Sequence, residues 1–284
     1  MRCTYSTLGG NLSSDDLDGM FESPHDAPPK WLCVLSPIEM YTAYLDETGQ
    51  HTNGWIFVAG FLGNEDEWKG FIPSWKDGLG SQRKRLHMHT LRWNQPRTEK
   101  LLARLGPIPE ACGLKAVAGG VNYGDYQELI EGTTVEKLSE GYLWCLFPLI
   151  LCLLKYLPTD ERVELIFGEQ FIYQKRALSL LSQLVRETRG DPRFCTSDGL
   201  SKLAKWSFAP WEDTPLLDPS DYYASALANY HHDKNSCKTQ WCMPILDVAH
   251  NMPFIGHILT RDEIRGQVTR GRQMLLDNGL QFYV

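Results

Sequence analysis

The sequence predicts an α/β domain with a mixed sheet flanked by helices. Three observations point there. Two short β-prone apolar segments stand close together after residue 39, the hydrophobic period then changes from two to 3.6, and helix-type and strand-type segments alternate for the rest of the chain. Strands that alternate with helices need those helices as crossovers covering the sheet faces. The 284 residues, 43% hydrophobic and 11% aromatic, supply a large packed core, which excludes a disordered chain, a fibrous repeat and a disulfide-stapled miniprotein.

Taken in order, Met40 to Asp46 (MYTAYLD) reads as the first strand, and Glu47, Thr48 and Gly49 as the turn that ends it. Trp55 to Leu62 (WIFVAGFL) is rich in β-branched and aromatic residues and forms a plausible antiparallel hairpin with the first strand. Trp68, Phe71, Ile72, Trp75 and Leu79 then fall on one face of a helix that Pro73 must kink or divide. A basic turn, Arg83 to Arg85, leads into Leu86-His87-Met88-His89, read as a strand, and a charged helix follows around Arg97 to Leu105. Leu114 to Val121 reads as a strand, Val135 to Leu157 as a buried helix, Arg162 to Phe167 as a strand and Lys175 to Glu187 as a helix. Lys202 to Phe208 reads as a further strand, Pro219 to His231 as a helix, and the tail from Ile258 to Leu280 as helical.

Residues 1–37 read as a flexible leader without the apolar stretch of a secretory signal. The apolar run Tyr142 to Leu157 falls short of the roughly 20 residues that span a bilayer and contains Pro148 and Lys155, so no membrane segment is expected. Eight cysteines without an export signal point to reduced thiols and a cytoplasmic location. Twenty-eight Lys and Arg against 35 Asp and Glu give a net charge of −7, which disfavours a nonspecific nucleic-acid coat and requires any polyanion partner to meet a local basic patch or bound cations.

Three acids stand where a strand ends or a helix begins, the places from which a scaffold aims side chains into a shared cleft: Asp46, Glu169 and Asp221. Convergent carboxylates repel one another unless cations neutralise them, so the set invites Mg²⁺ or Mn²⁺, hard ions that take oxygen ligands. Two such ions can activate a water and stabilise a leaving oxygen in phosphodiester cleavage.

YLDETG followed by WIFVAGFLG, then EWKGFIPSW, LHMHT and PLLDPSDYYASALA, resembles the DUF 3800 family of RNase H-like proteins. In that family a D-E-S-G turn follows the first strand, a Trp-containing helix follows the second, an F-H segment comes next, and L-Q-x-A-D opens a late helix. The likeness runs in outline from Tyr41 to His232 and lies in the order of the motifs. It implies an RNase H-like mixed sheet over residues 38–284, with a helical insertion and a C-terminal extension. It also implies metal-dependent nuclease activity on DNA or RNA. By position Asp46 matches the aspartate of the first turn, Asp221 that of the late helix and His87 the histidine of the F-H segment. The central strand reads Phe167-Gly168-Glu169 where the family has an aspartate after the apolar run, which shifts that ligand to Glu169, and Asp218 and Ser220 replace glutamine and alanine in the late motif.

Simpler readings stand beside these. Asp218 before Pro219 reads as a helix N-cap, which puts Asp221 at N3 facing the helix dipole. Asp46 reads equally as a turn residue bonding its own backbone, and Glu169 as a solvated strand end. His87 and His89, two apart on an expected strand, share one face and suit a metal or a phosphate, or simply a solvated surface. His231, His232, Cys237 and Cys242 are zinc-type ligands at no standard spacing, the alternative being a polar loop with ordinary thiols. Arg83, Lys84 and Arg85, with Lys202 and Lys205, are the basic residues placed to hold a phosphate backbone. No P-loop, G-x-S-x-G elbow or H-E-x-x-H occurs. The expected function is therefore a metal-dependent nuclease in which Asp46, Glu169 and Asp221 bind the ions and His87 orients a phosphate or shuttles a proton. The alternatives are a catalytically silent RNase H-like scaffold that binds a protein or nucleic acid, and a hydrolase of small phosphoesters.

Overall fold

The computed structural model describes residues 39–48, 54–81, 83–130, 141–169, 174–188 and 200–277. The leader read over residues 1–37 and the start of the helix read from Val135 lie outside them.

The strands β1 (Met40–Thr48), β2 (Trp55–Asn64), β3 (Lys115–Asn122), β4 (Arg162–Gly168), β5 (Leu203–Ala209) and β6 (Phe254–Leu259) form one sheet in the order β5-β4-β1-β2-β3-β6. β1, β2 and β3 pair antiparallel, and β4 and β5 add in parallel beyond β1. β6 lies parallel to β3 at the other edge. Helices α1 (Glu65–Leu79), α2 (Pro96–Leu105), α3 (Ile108–Ala111), α4 (Tyr123–Ile130), α5 (Gly141–Tyr156), α6 (Gln174–Thr188), α7 (Asp218–His232), α8 (Cys237–Asn251) and α9 (Arg261–Asp277) complete the described elements.

The central strand divides two cores by its alternation. Ala43 and Leu45 of β1 pack with Val163, Leu165 and Phe167 of β4 and the buried side of α5, in a cluster that also takes in Ile130, Ala177 and Ile264 from α4, α6 and α9. Tyr44 faces the other way, into a cluster built from α1, α2, α7 and α8. Side chains two apart on a strand share a face, so Asp46 belongs with Tyr44 on the α7 side. α7 sits close on that face: Ser220 donates to the Tyr44 carbonyl at 2.8 Å, and a Cβ at Gly60 on neighbouring β2 would stand 1.9 Å from that same oxygen. Only glycine permits this approach.

Several expectations are altered by the structure. α1 is one continuous helix despite Pro73, opened by a capping box in which Asn64 and Glu67 bond each other's backbone N–H. The segment read as a strand around His87 is extended only up to His87, then turns through a short 3₁₀ helix at Met88–Thr90, because its N–H groups bond side chains of α7 and not a strand. α8 and β6 replace the polar loop and the beginning of the helical tail; α9 starts at Arg261. Lys202, read as a phosphate-facing cation, is buried, and its Nζ caps the end of α5 by donating to the carbonyls of Leu154 and Leu157 at 3.0 and 2.5 Å. Lys205 pairs with Glu164 on the sheet. The five described cysteines, Cys112, Cys145, Cys152, Cys237 and Cys242, are free thiols. Among the described residues no helix is long and apolar enough to cross a membrane.

Candidate active site

Asp46 stands near the C-terminal end of β1, and the first turn of α7, held against that strand by Ser220, brings the charge of Asp221 within its reach. Asp46 reaches this rim because β1 carries it on the α7 face, two residues beyond Tyr44, and its Oδ1 accepts the Glu47 N–H at 3.0 Å. The local backbone bond expected of a turn residue is thus present, but on a residue still paired in the sheet opposite Ala59. Burial pushes the Asp46 carboxyl up to about 8, and the charge of Asp221 adds to the rise; the Glu47 N–H and the positive His87 oppose it. The two acids are therefore within electrostatic reach of each other.

Asp221 is anchored more fully. Its Oδ2 accepts the Met88 N–H at 2.8 Å and stands 2.9 Å from His87 Nδ1, while Ser225 donates to Oδ1 at 3.3 Å. The bond to Asp221 is the largest of the effects that raise the His87 pKa above its ordinary value, with the charges of Asp221, Asp46 and Asp218 acting in the same direction against partial burial. The imidazole side chain remains 39% exposed, and Nδ1 is the nitrogen that Asp221 engages.

Asp218 does something different. The N-cap reading fails, since no side chain caps α7; Asp218 instead accepts the Leu86 N–H at 2.8 Å and the Arg85 Nε at 2.7 Å. Two acids three apart on α7 thereby take the N–H groups of Leu86 and Met88, two apart on an extended segment, and this match delivers His87 to Asp221. Arg85 turns inward from its basic turn. Its guanidinium bonds Asp218 and the carbonyls of Glu212 and Thr214, and lies 4.1 Å from the centre of the Trp211 ring. The same indole lies 4.7 Å from the His87 ring. Arg85, read as a phosphate-facing cation, is taken up instead by Asp218 and two carbonyls, and Trp211 is not legible as a site residue, because nothing in the spacing ties residue 85 to residue 211 or residue 218.

Glu169 is exposed just past β4, with its N–H bonded to the Ala209 carbonyl. The β4 position beside Asp46 is Gly168, where a Cβ would stand 2.5 Å from Asp46 Oδ1. Alternation carries the next residue toward the other face. Glu47, next along β1, has a carboxyl raised well above its ordinary value by burial and then by the charges of Asp46 and Asp221, and by the same alternation its side chain belongs to the Leu45 face. The turn reading of Glu47 hid it. Among the described residues no three His, Cys, Asp or Glu side chains are grouped so as to hold a metal ion by themselves.

His89 is exposed, its ring 6.1 Å from that of His87. The zinc-type set is dispersed. His231 packs on Trp55 and Phe57, Cys242 is buried in the core with its thiol pushed up to about 12 by burial, and Cys237 is exposed. Comparison with protein-family models and with curated proteins finds no match.

Proposed function

We propose that the chain is a metal-dependent phosphodiesterase of the RNase H-like class, acting on nucleic acid through Asp46, Asp221 and His87. The observation that carries this reading is the convergence of two acids, 175 positions apart in sequence, at one rim with a hydrogen-bonded histidine. The sheet is consistent with it: the resemblance implies a mixed sheet, and β1, β2 and β3 pair antiparallel while β4 and β5 add in parallel beyond β1 and β6 in parallel at the β3 edge.

Asp46 and Asp221 fit a hard divalent ion as a two-carboxylate site, the kind in which Mg²⁺ keeps several waters and takes further oxygens from a substrate phosphate. Burial first, and then the charge of Asp221, raise Asp46, and both are offset by a bound cation. When bound, Mg²⁺ or Mn²⁺ supplies charge stabilisation for the phosphoryl oxygens and acidifies water. The protein's own contributions follow from the geometry. Asp221 fixes the His87 ring through Nδ1 and favours its protonated form, so Nε2–H can donate to a phosphate oxygen or give its proton to the departing alkoxide. Asp218, neutralised by Arg85, holds the segment that carries the ring.

Purified protein incubated with Mn²⁺ and single-stranded DNA, RNA or hybrid substrates is expected to cleave at least one, with Asp46→Asn and Asp221→Asn each lowering the rate by at least 100-fold, on the order of 3 kcal/mol of lost transition-state stabilisation. Cleavage untouched by both substitutions sinks the mechanism. A catalytically silent scaffold of the same fold is favoured by one observation, the glycine that stands beside Asp46 where a third acid is expected. Calorimetry separates the two readings: Mn²⁺ binding that depends on Asp46 supports the enzyme, and no heat supports the scaffold.

A further inference from the structure

Ten residues along α7 from Asp221, about 15 Å at the α-helical rise, the helix ends in a group of aromatic rings that the acid site does not use. His231 lies 4.5 Å from Trp55, 5.2 Å from Phe57 and 5.5 Å from Tyr230, measured between ring centres. Burial and the nearby Lys234 lower its pKa, which favours the neutral ring among these aromatics. Lys234 stands 4.8 Å from the centre of the Tyr230 ring. Beyond the turn, α8 repeats the pattern: Trp241 stacks on Trp93 at 6.3 Å and 25° between planes, with Lys238 over Trp93 at 5.8 Å. Trp55, Tyr230, His231, Trp93 and Trp241 are all partly open, and Lys234 and Lys238 are exposed.

We infer that this α7–α8 corner is a stacking surface for the unpaired bases of a single-stranded nucleic acid. Aromatic faces accept any base, because every base has a π-face to stack. Interleaved lysines answer the phosphates between the bases in a molecule whose net charge of −7 otherwise repels them. The separation from Asp221 spans a few nucleotides of strand, which places the scissile phosphate and the gripped bases on one chain. The inference rests on the phosphodiesterase reading for its substrate class.

The test uses the full chain carrying Asp46→Asn, which removes cleavage, with fluorescein-labelled 12-mers of oligo(dT) and oligo(U) and a duplex of the same length. Single strands are expected to bind at least tenfold more tightly than duplex and to quench tryptophan fluorescence. Trp241→Ala and His231→Ala should each weaken binding about tenfold, with Trp241→Phe restoring it. The exposed pair Lys234→Gln/Lys238→Gln, safe for folding, should make the slope of log affinity against log salt shallower by about 1.4, at roughly 0.7 for each phosphate left without its lysine. Equal affinity for duplex, or binding indifferent to the tryptophan and lysine variants, overturns the inference. The two proposals fail separately. Asp46-dependent hydrolysis of bis(p-nitrophenyl) phosphate without oligonucleotide binding keeps the phosphodiesterase and removes the corner; corner-dependent binding by a chain that cleaves nothing does the reverse.

Discussion

Asp46 is where residue chemistry and stability are most directly coupled. Its carboxyl, ordinarily at 3.8, is pushed up to about 8 in the folded chain by burial and by Asp221. An acid whose folded pKa is raised keeps its proton while the unfolded chain has lost it, so this residue lowers stability progressively as pH rises from about 4 to about 8, and no further above that. In metal-free buffer the melting temperature should fall across that window. Asp46→Asn should make the slope shallower, leaving the share of Glu47, and stabilise the protein at pH 8 by a few kcal/mol; thermal melts at several pH values check both. A variant as pH-sensitive as the parent would mean that Asp46 is ionised throughout. The sequence marks Asp46, Asp221 and His87 because each belongs to a short motif at the edge of an element. It cannot mark the neighbour that burial and charge make relevant, Glu47, since depth is a property of the packed sheet.

Among the elements, the extended segment leading into the 3₁₀ turn is held by α7, and Arg85 is the clamp. Removing the guanidinium strands Asp218, whose side chain is fully buried, without its cation. Breaking such a pair costs about 3–5 kcal/mol, far more than an exposed pair is worth. Arg85→Met is therefore expected to destabilise by that amount, Arg85→Met/Asp218→Asn by distinctly less, and NMR titration of His87 in the folded single variant should give a pKa closer to the ordinary value. An unchanged titration would separate the clamp from the histidine. Most elements are legible from period and punctuation, from β1 and β2 through α7, because each repeats one face consistently. α3, α4, α8 and β6 are not: α3 and α4 are only four and eight residues long, Cys237 and Cys242 carry the signature of metal ligands over that of a helix, and β6 is a six-residue edge strand with its first residue exposed.

For the molecule as a whole, ion binding and folding are linked. If Mg²⁺ or Mn²⁺ enters between Asp46 and Asp221, it binds only the folded chain and adds about 2.7 kcal/mol at 100 times its dissociation constant. The melting temperature at pH 8 should rise with Mn²⁺, and the rise should vanish in Asp46→Asn. A shift that survives the substitution would locate the ion elsewhere on this acidic surface. The α/β class and the alternation of elements are readable from the chain alone; the meeting of residues 46, 87, 218 and 221 is not, because it depends on which helix covers which face.

Ser220 ties α7 to the Tyr44 carbonyl beside a glycine that leaves no slack. Both acids are thus mounted on elements bolted together close to each. Loops would let two like charges swing apart; here the backbone denies them that escape, and relief must come as a proton or a cation taken from solution. The rim works less like a hinge than like a socket of set width.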